Sequence, residues 1–246
     1  MRKILLPALA VIACCIAAPA AEGDIPDWAR GVKISMPLND GKYAGDFIVS
    51  DPAVWEFARE ENGKGFLQLE YDRKKHKSTY TPKHRSPVHI ALFKQYPFAD
   101  FVMDVELQST TESYDHQSLC LFFGFESPER YYYVHLGKKA DMNANNVFIV
   151  NGAARKNIAT ETTQGVEWKK GEWHTARLVR QASTGKIEVY FDDMTKPIMK
   201  AEDKTFQTGF VGFGSFDDTG RFRRVVLNTK NLTIGKQADF FKPLGK

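Results

Sequence analysis

The chain has 246 residues, 43% of them hydrophobic and 26% charged, and its formal net charge at pH 7 is +4. That length and apolar content suffice for one β-sandwich or two small domains. The 34 basic and 30 acidic residues nearly balance, and no basic tract runs beyond short groups such as Arg73-Lys74-Lys75, which argues against a nucleic-acid binder.

The chain opens with the pattern of a secretory signal peptide over residues 1–20. Arg2 and Lys3 precede an apolar run from Ile4 to about Ala18, and Ala18-Pro19-Ala20 supplies a small-residue cleavage pattern. The run is too short to span a bilayer, and no later stretch reaches the roughly 18 to 20 apolar residues that a transmembrane helix needs. Val11-Ile12-Ala13-Cys14 offers a competing lipobox reading, in which Cys14 would carry a lipid anchor. Either way the expected location is secreted or periplasmic. Cleavage before Ala21 would remove Arg2 and Lys3, leaving 32 of the 34 basic residues against 30 acidic ones. Of the 3 cysteines, only Cys120 would remain, inside the apolar run Leu119 to Phe123, so no internal disulfide can form. Such a thiol reads as a small core residue.

From Gly65 onward the hydrophobic period is two rather than 3.6. The predicted strands are Gly65 to Tyr71, Val88 to Phe93, Phe101 to Gln108, Ser118 to Phe125, Tyr131 to Leu136, Val147 to Val150, Trp173 to Arg180, Lys186 to Phe191, Phe210 to Gly214 and Arg221 to Leu227. The third is the clearest: Phe101, Met103, Val105 and Leu107 share one face, with Asp104, Glu106 and Gln108 on the other. Gly185, near the end of the loop from Arg180 to Lys186, marks a hairpin. Residues 21–246 therefore predict a single domain, a two-sheet antiparallel sandwich or jelly roll with irregular termini, the tail after Ile234 packing on its outside.

Asp46-Phe47, then Trp55, Gly65-Phe66-Leu67 and Phe98-Ala99-Asp100-Phe101 resemble the opening half of concanavalin A-like lectin/glucanase jelly rolls. Gly171-Glu172-Trp173-His174, Gly185 to Asp192, Gly209-Phe210-Val211-Gly212-Phe213 and Phe222-Arg223-Arg224-Val225 are similar to the closing half of the 3-keto-disaccharide hydrolase domain family of secreted bacterial proteins. The resemblance covers roughly residues 46 to 234 and implies an all-β, concanavalin A-like jelly roll acting on a carbohydrate. Two positions depart from it: Asp192-Asp193 stands where the family often has Asn-Gly, and Phe222-Arg223-Arg224-Val225 where its closing strand usually reads Phe-Arg-Asn-Ile. Met103-Asp104-Val105-Glu106 is only a fragment of the Glu-x-Asp-x-x-Glu strand of laminarinase-type glucanases. A retaining pair of carboxylates about 5 Å apart is therefore not expected.

The chemistry concentrates in one quarter of the chain. In Tyr131-Tyr132-Tyr133-Val134-His135-Leu136, alternation sends Tyr132, Val134 and Leu136 toward the core and puts Tyr131, Tyr133 and His135 on the opposite face. On an open sheet that face would line a groove, where tyrosine rings stack on sugars and the imidazole donates or accepts hydrogen bonds. Five of the 6 histidines, His76, His84, His89, His116 and His135, lie between positions 76 and 135. If their strands are adjacent, Arg85, His116 and His135 share one groove, suited to proton abstraction next to a carbonyl with a cation stabilising the developing charge.

The expected function is cleavage of a glycosidic bond by hydrolysis or elimination. His135, His116, Tyr133 and Arg85 would be catalytic, and Tyr131, His89, His84, Lys138, Asn145 and Arg155 would contact substrate. The alternatives are a non-catalytic glycan-binding module that stacks sugars on Tyr131 and Tyr133, and a structural envelope protein. No catalytic metal is expected. Asp141 to Asn146 and Ser215 to Gly220 resemble calcium loops but read better as polar turns, since Gly152 offers no twelfth-position carboxylate to the first.

Overall fold

The computed structural model describes residues 25–235 and 237–244. The predicted signal peptide and Cys14 lie outside the described residues. Among the described residues the only helices are short 3-10 turns at Asp27–Ala29, Gly41–Asp46 and Pro52–Val54, and none is long and apolar enough to cross a membrane.

The strands are, in chain order, β1 (Val32–Met36), β2 (Phe47–Val49), β3 (Trp55–Arg59), β4 (Gly65–Leu69), β5 (His89–Phe98), β6 (Phe101–Ser109), β7 (Ser118–Ser127), β8 (Arg130–Gly137) and β9 (Asn146–Asn151). They continue with β10 (Lys156–Asn157), β11 (Ala159–Thr162), β12 (His174–Gln181), β13 (Lys186–Phe191), β14 (Met199–Glu202), β15 (Gly209–Ser215), β16 (Gly220–Thr229) and β17 (Lys242–Pro243). They form two antiparallel sheets. A nine-stranded sheet runs β11-β14-β13-β12-β6-β16-β4-β3 with β1 added on β16, and an eight-stranded sheet runs β10-β9-β8-β7-β15-β5-β2-β17.

The main core lies between the sheets. From β6 it takes Phe101, Met103, Val105 and Leu107, the face expected from the alternation, and from β8 it takes Tyr132, Val134 and Leu136. The polar side of β6 faces outward and carries ion pairs. Arg177 grips Asp104 with two hydrogen bonds of 2.6 and 2.8 Å, while Arg223 and Arg224 reach Glu106 at 2.7 and 2.6 Å. Both acids of the glucanase-like fragment are thus neutralised on the outside of the nine-stranded sheet.

The eight-stranded sheet is apolar on both faces. Its outer face gathers Cys120, Phe122 and Phe125 of β7, Tyr131 and Tyr133 of β8, and Phe148 and Val150 of β9 into a second core. Ala238, Phe240 and Phe241 of the C-terminal tail and Tyr80 of the segment between β4 and β5 pack onto it. This corrects the expected stacking platform. Tyr131 is fully buried, its ring stacked 4.7 Å from Phe125, which in turn packs against Phe240 and Phe241. Alternation identified the residues that share the face but could not reveal that the tail covers it.

Candidate functional site

One end of that covered face stays open. There β7 begins at Ser118, β8 ends at Gly137, β9 begins at Asn146 and β15 ends at Ser215, and their connecting loops enclose a cavity of about 460 Å³. This lies within the roughly 300 to 1,000 Å³ typical of small-molecule sites. The loop after β8 can fold down onto the sheet because Gly137 has no side chain: a Cβ there would stand 2.8 Å from the Asn145 amide and 3.0 Å from the Ala144 Cβ.

That loop fixes His135. Its Nδ1 lies 2.9 Å from the Asn143 carbonyl, which can only accept, so Nδ1 carries the proton and Nε2 accepts from the Ser118 hydroxyl at 2.7 Å. Burial, reinforced by the nearby Arg155 charge and opposed by the Asn143 carbonyl, lowers the His135 pKa to about 4. His135 is therefore neutral at pH 7, with both ring nitrogens occupied inside the protein.

Asp218 fastens the other side of the cavity floor. Its Oδ2 accepts the Ser118 amide at 2.8 Å, and its Oδ1 accepts the Tyr114 hydroxyl at 2.7 Å and Arg73 at 3.4 Å. Complete burial raises its pKa to about 6, more than these hydrogen bonds lower it. The turn from Ser215 to Gly220, expected to be solvated, is thus anchored by a buried carboxyl. Among the described residues no group of three or more His, Cys, Asp or Glu side chains is placed to hold a metal ion. In the other calcium-like loop, Asp141 accepts the amide of Asn143 at 2.6 Å.

The cavity wall is cationic and centres on Phe216. The Arg155 guanidinium lies over the Phe216 ring at 4.8 Å and over Phe148 at 5.0 Å, and it donates to the Tyr133 hydroxyl at 2.8 Å and to Asn143 Oδ1 at 3.2 Å. Arg85 lies over the same ring at 5.7 Å, and the His135 ring stacks beside it at 6.0 Å. His116 is exposed at the rim, 3.7 Å from Asp141, and Arg73 pairs with Asp217 at 2.8 Å.

Arg85, His116, His135 and Arg155 accordingly line one cavity, although they come from different loops and strands. Tyr133 lies one layer below, fully buried, its hydroxyl accepting from Arg155 and its ring packed beside His135. The other expected contacts are elsewhere. Lys138 donates to Ser113 at 2.5 Å, outside the cavity lining. Asn145, with a left-handed φ of 51°, is buried and holds its loop to Thr162 and Thr163 at 3.1 and 3.0 Å. His89 is buried against Tyr71, with ring centroids 4.4 Å apart, and His84 keeps its Nε2 buried without a hydrogen-bond partner. Sequence reasoning passed over Phe216, Ser118, Tyr114, Asp218 and Arg73. The available signal was Phe216 itself, a large apolar side chain placed within an acidic turn.

No family model matches the chain, and no curated protein sequence matches it. Similar solved structures exist. The carbohydrate-binding module CBM66 from Bacillus subtilis superposes with a TM-score of 0.53 at 14% identity, over 75% of this chain and 96% of that one. A protein of unknown function with a galectin-like fold, also from Bacillus subtilis, gives 0.52 at 11% identity, over 81% and 97%. A mutant of the GH43 protein BlXynB from Bacillus licheniformis gives 0.53 at 12% identity, over 79% of this chain but only 39% of that protein. At these identities the likeness concerns fold alone, and it agrees with the two antiparallel sheets: the chain is a concanavalin A-like jelly roll.

Proposed function

We propose that the protein binds a carbohydrate in the cavity around Phe216. The observation that carries this reading is the convergence of Arg85 and Arg155 on a half-buried aromatic ring, with His116 at the rim, in a cavity large enough for a sugar. Guanidinium and imidazole N–H groups suit sugar hydroxyls, which accept hydrogen bonds readily. The similar structures, among them a carbohydrate-binding module, support the same direction. A secreted or periplasmic location fits such a ligand and the predicted signal peptide.

Binding is favoured over cleavage because His135 and Asp218 are engaged on every polar atom by internal partners. A base with a pKa of about 4 also accepts protons poorly at neutral pH. Cleavage is the second reading, favoured by His116, whose exposed ring near Asp141 could move a proton. The test is retention of the purified protein on a panel of immobilised glycans, with soluble products assayed in parallel. Arg85→Ala should weaken retention about 10- to 100-fold, the worth of a charge-assisted hydrogen bond of roughly 1.5–3 kcal/mol. If no glycan is retained and none is converted, the reading fails. If products form, and His116→Ala stops them while leaving retention intact, the second reading replaces the first.

A further inference from the structure

Most of the charges around the cavity are accounted for by neighbours. Arg73 is neutralised by Asp217 at 2.8 Å and shares the buried Asp218. Asp141, the other cavity carboxylate, lies beside His116 and accepts the Asn143 amide. Two guanidinium groups remain. Arg155 makes its hydrogen bonds to a phenol and an amide oxygen, both uncharged, and Arg85 has no carboxylate within ion-pair distance among the described residues.

Both sit over the same ring, at 4.8 and 5.7 Å, and both line the same cavity. An aromatic face attracts a cation and fixes its position without neutralising it, and the N–H edge of the guanidinium stays available to an oxyanion. Two like charges lining one cavity repel, and an anion bound between them relieves that repulsion. The field is felt within the protein, since Arg155 contributes to holding His135 neutral.

We infer that the cavity selects an acidic sugar, whose carboxylate or sulfate group is gripped jointly by Arg85 and Arg155 beside Phe216. The inference rests on the carbohydrate-binding reading and narrows it to one ligand class. Arg155 is the more fixed of the two, tied to Tyr133 and Asn143, while Arg85 is exposed and free to adjust to the ligand. Planar, two-pronged donors of this kind match the oxygens of a carboxylate or sulfate group.

The experiment is calorimetric titration of the purified protein with three matched oligosaccharides: a neutral one, its uronate counterpart and its sulfate ester. At least one acidic form should bind tenfold or more tightly than the neutral form, and raising salt from 50 to 200 mM should erode that advantage through screening. The uronate and sulfate arms tell which group is taken. Arg85→Gln should weaken the acidic ligand by tenfold or more and by more than it weakens the neutral one, so that the acidic preference disappears. Arg155→Gln, which keeps a donor toward Tyr133, should do the same and guards against a folding defect in either variant. Equal affinity for neutral and acidic forms overturns the inference and leaves the broader reading standing. An acidic preference that survives both substitutions also overturns it, because the anion then binds elsewhere. Failure of all three ligands to bind counts against the inference and the broader reading together.

Discussion

Ser118 stands between the two anchors of the cavity floor. Its amide donates to Asp218 and its hydroxyl to His135, so one residue at the start of β7 joins the two sides of the cavity floor. Ser118→Ala keeps the amide bond but leaves Nε2 of a buried histidine without a donor. The expected cost is about 1–3 kcal/mol, the penalty for an unsatisfied buried polar group, read as a lower denaturant midpoint at unchanged slope. In the sequence Ser118 was invisible as a site residue, because a serine opening an apolar run reads as a strand terminus. His135 was legible, since alternation placed it opposite Val134 and Leu136. Its partners were not, because the Asn143 carbonyl reaches it through a loop whose path no periodic pattern encodes.

At the scale of elements, period-two alternation was sufficient for β6, whose inner face meets the core while Asp104 and Glu106 on the outer face stay only partly buried. It failed for β2, where Phe47, Ile48 and Val49 are all buried: Phe47 and Val49 pack between the sheets, while Ile48 packs under the outer cover. A strand covered on both sides shows no alternation and is too short here to stand out. Strands as brief as β10 and β17 are set by their pairing partners rather than by their own composition. The loop after β8 depends on Gly137 in a way that can be checked. Gly137→Ala would push the 138–146 loop off the sheet, because a Cβ would meet the Asn145 backbone at 2.8 Å. Glycan retention should fall at least tenfold, and the His135 ring, losing the Asn143 carbonyl, should show a changed tautomer signal by nitrogen NMR.

For the whole molecule, acid should be destabilising over a defined range. His89 and His135 are both buried, and burial is the main cause that lowers each pKa from 6.5 to about 4, so between those values the unfolded chain binds the extra protons. Each contribution is fully present above pH 6.5 and is lost on acidification, at roughly 3 kcal/mol per histidine. Asp218 acts in the opposite sense, because its pKa is raised from 3.8 to about 6 and the folded state takes the proton first, offsetting about one histidine. The net expectation is a loss of about 3 kcal/mol between pH 6.5 and 4, measurable as a falling urea midpoint. In Asp218→Asn the offset should vanish and the loss should steepen. The cover that the C-terminal tail and Tyr80 lay on the outer face, against Phe125 of β7 and Phe210 of β15, has a further consequence for how a polymer could approach. With Phe240 and Phe241 seated against Phe125 and Tyr131 buried beneath Phe125, the tyrosine strand offers no open track, so on the carbohydrate-binding reading a glycan should enter the cavity at Phe216 end-on. Such a protein would count chain termini rather than chain length: per mole of polymer its binding should stay constant as the polymer grows, and endo-cleavage of that polymer by another enzyme should multiply its binding sites.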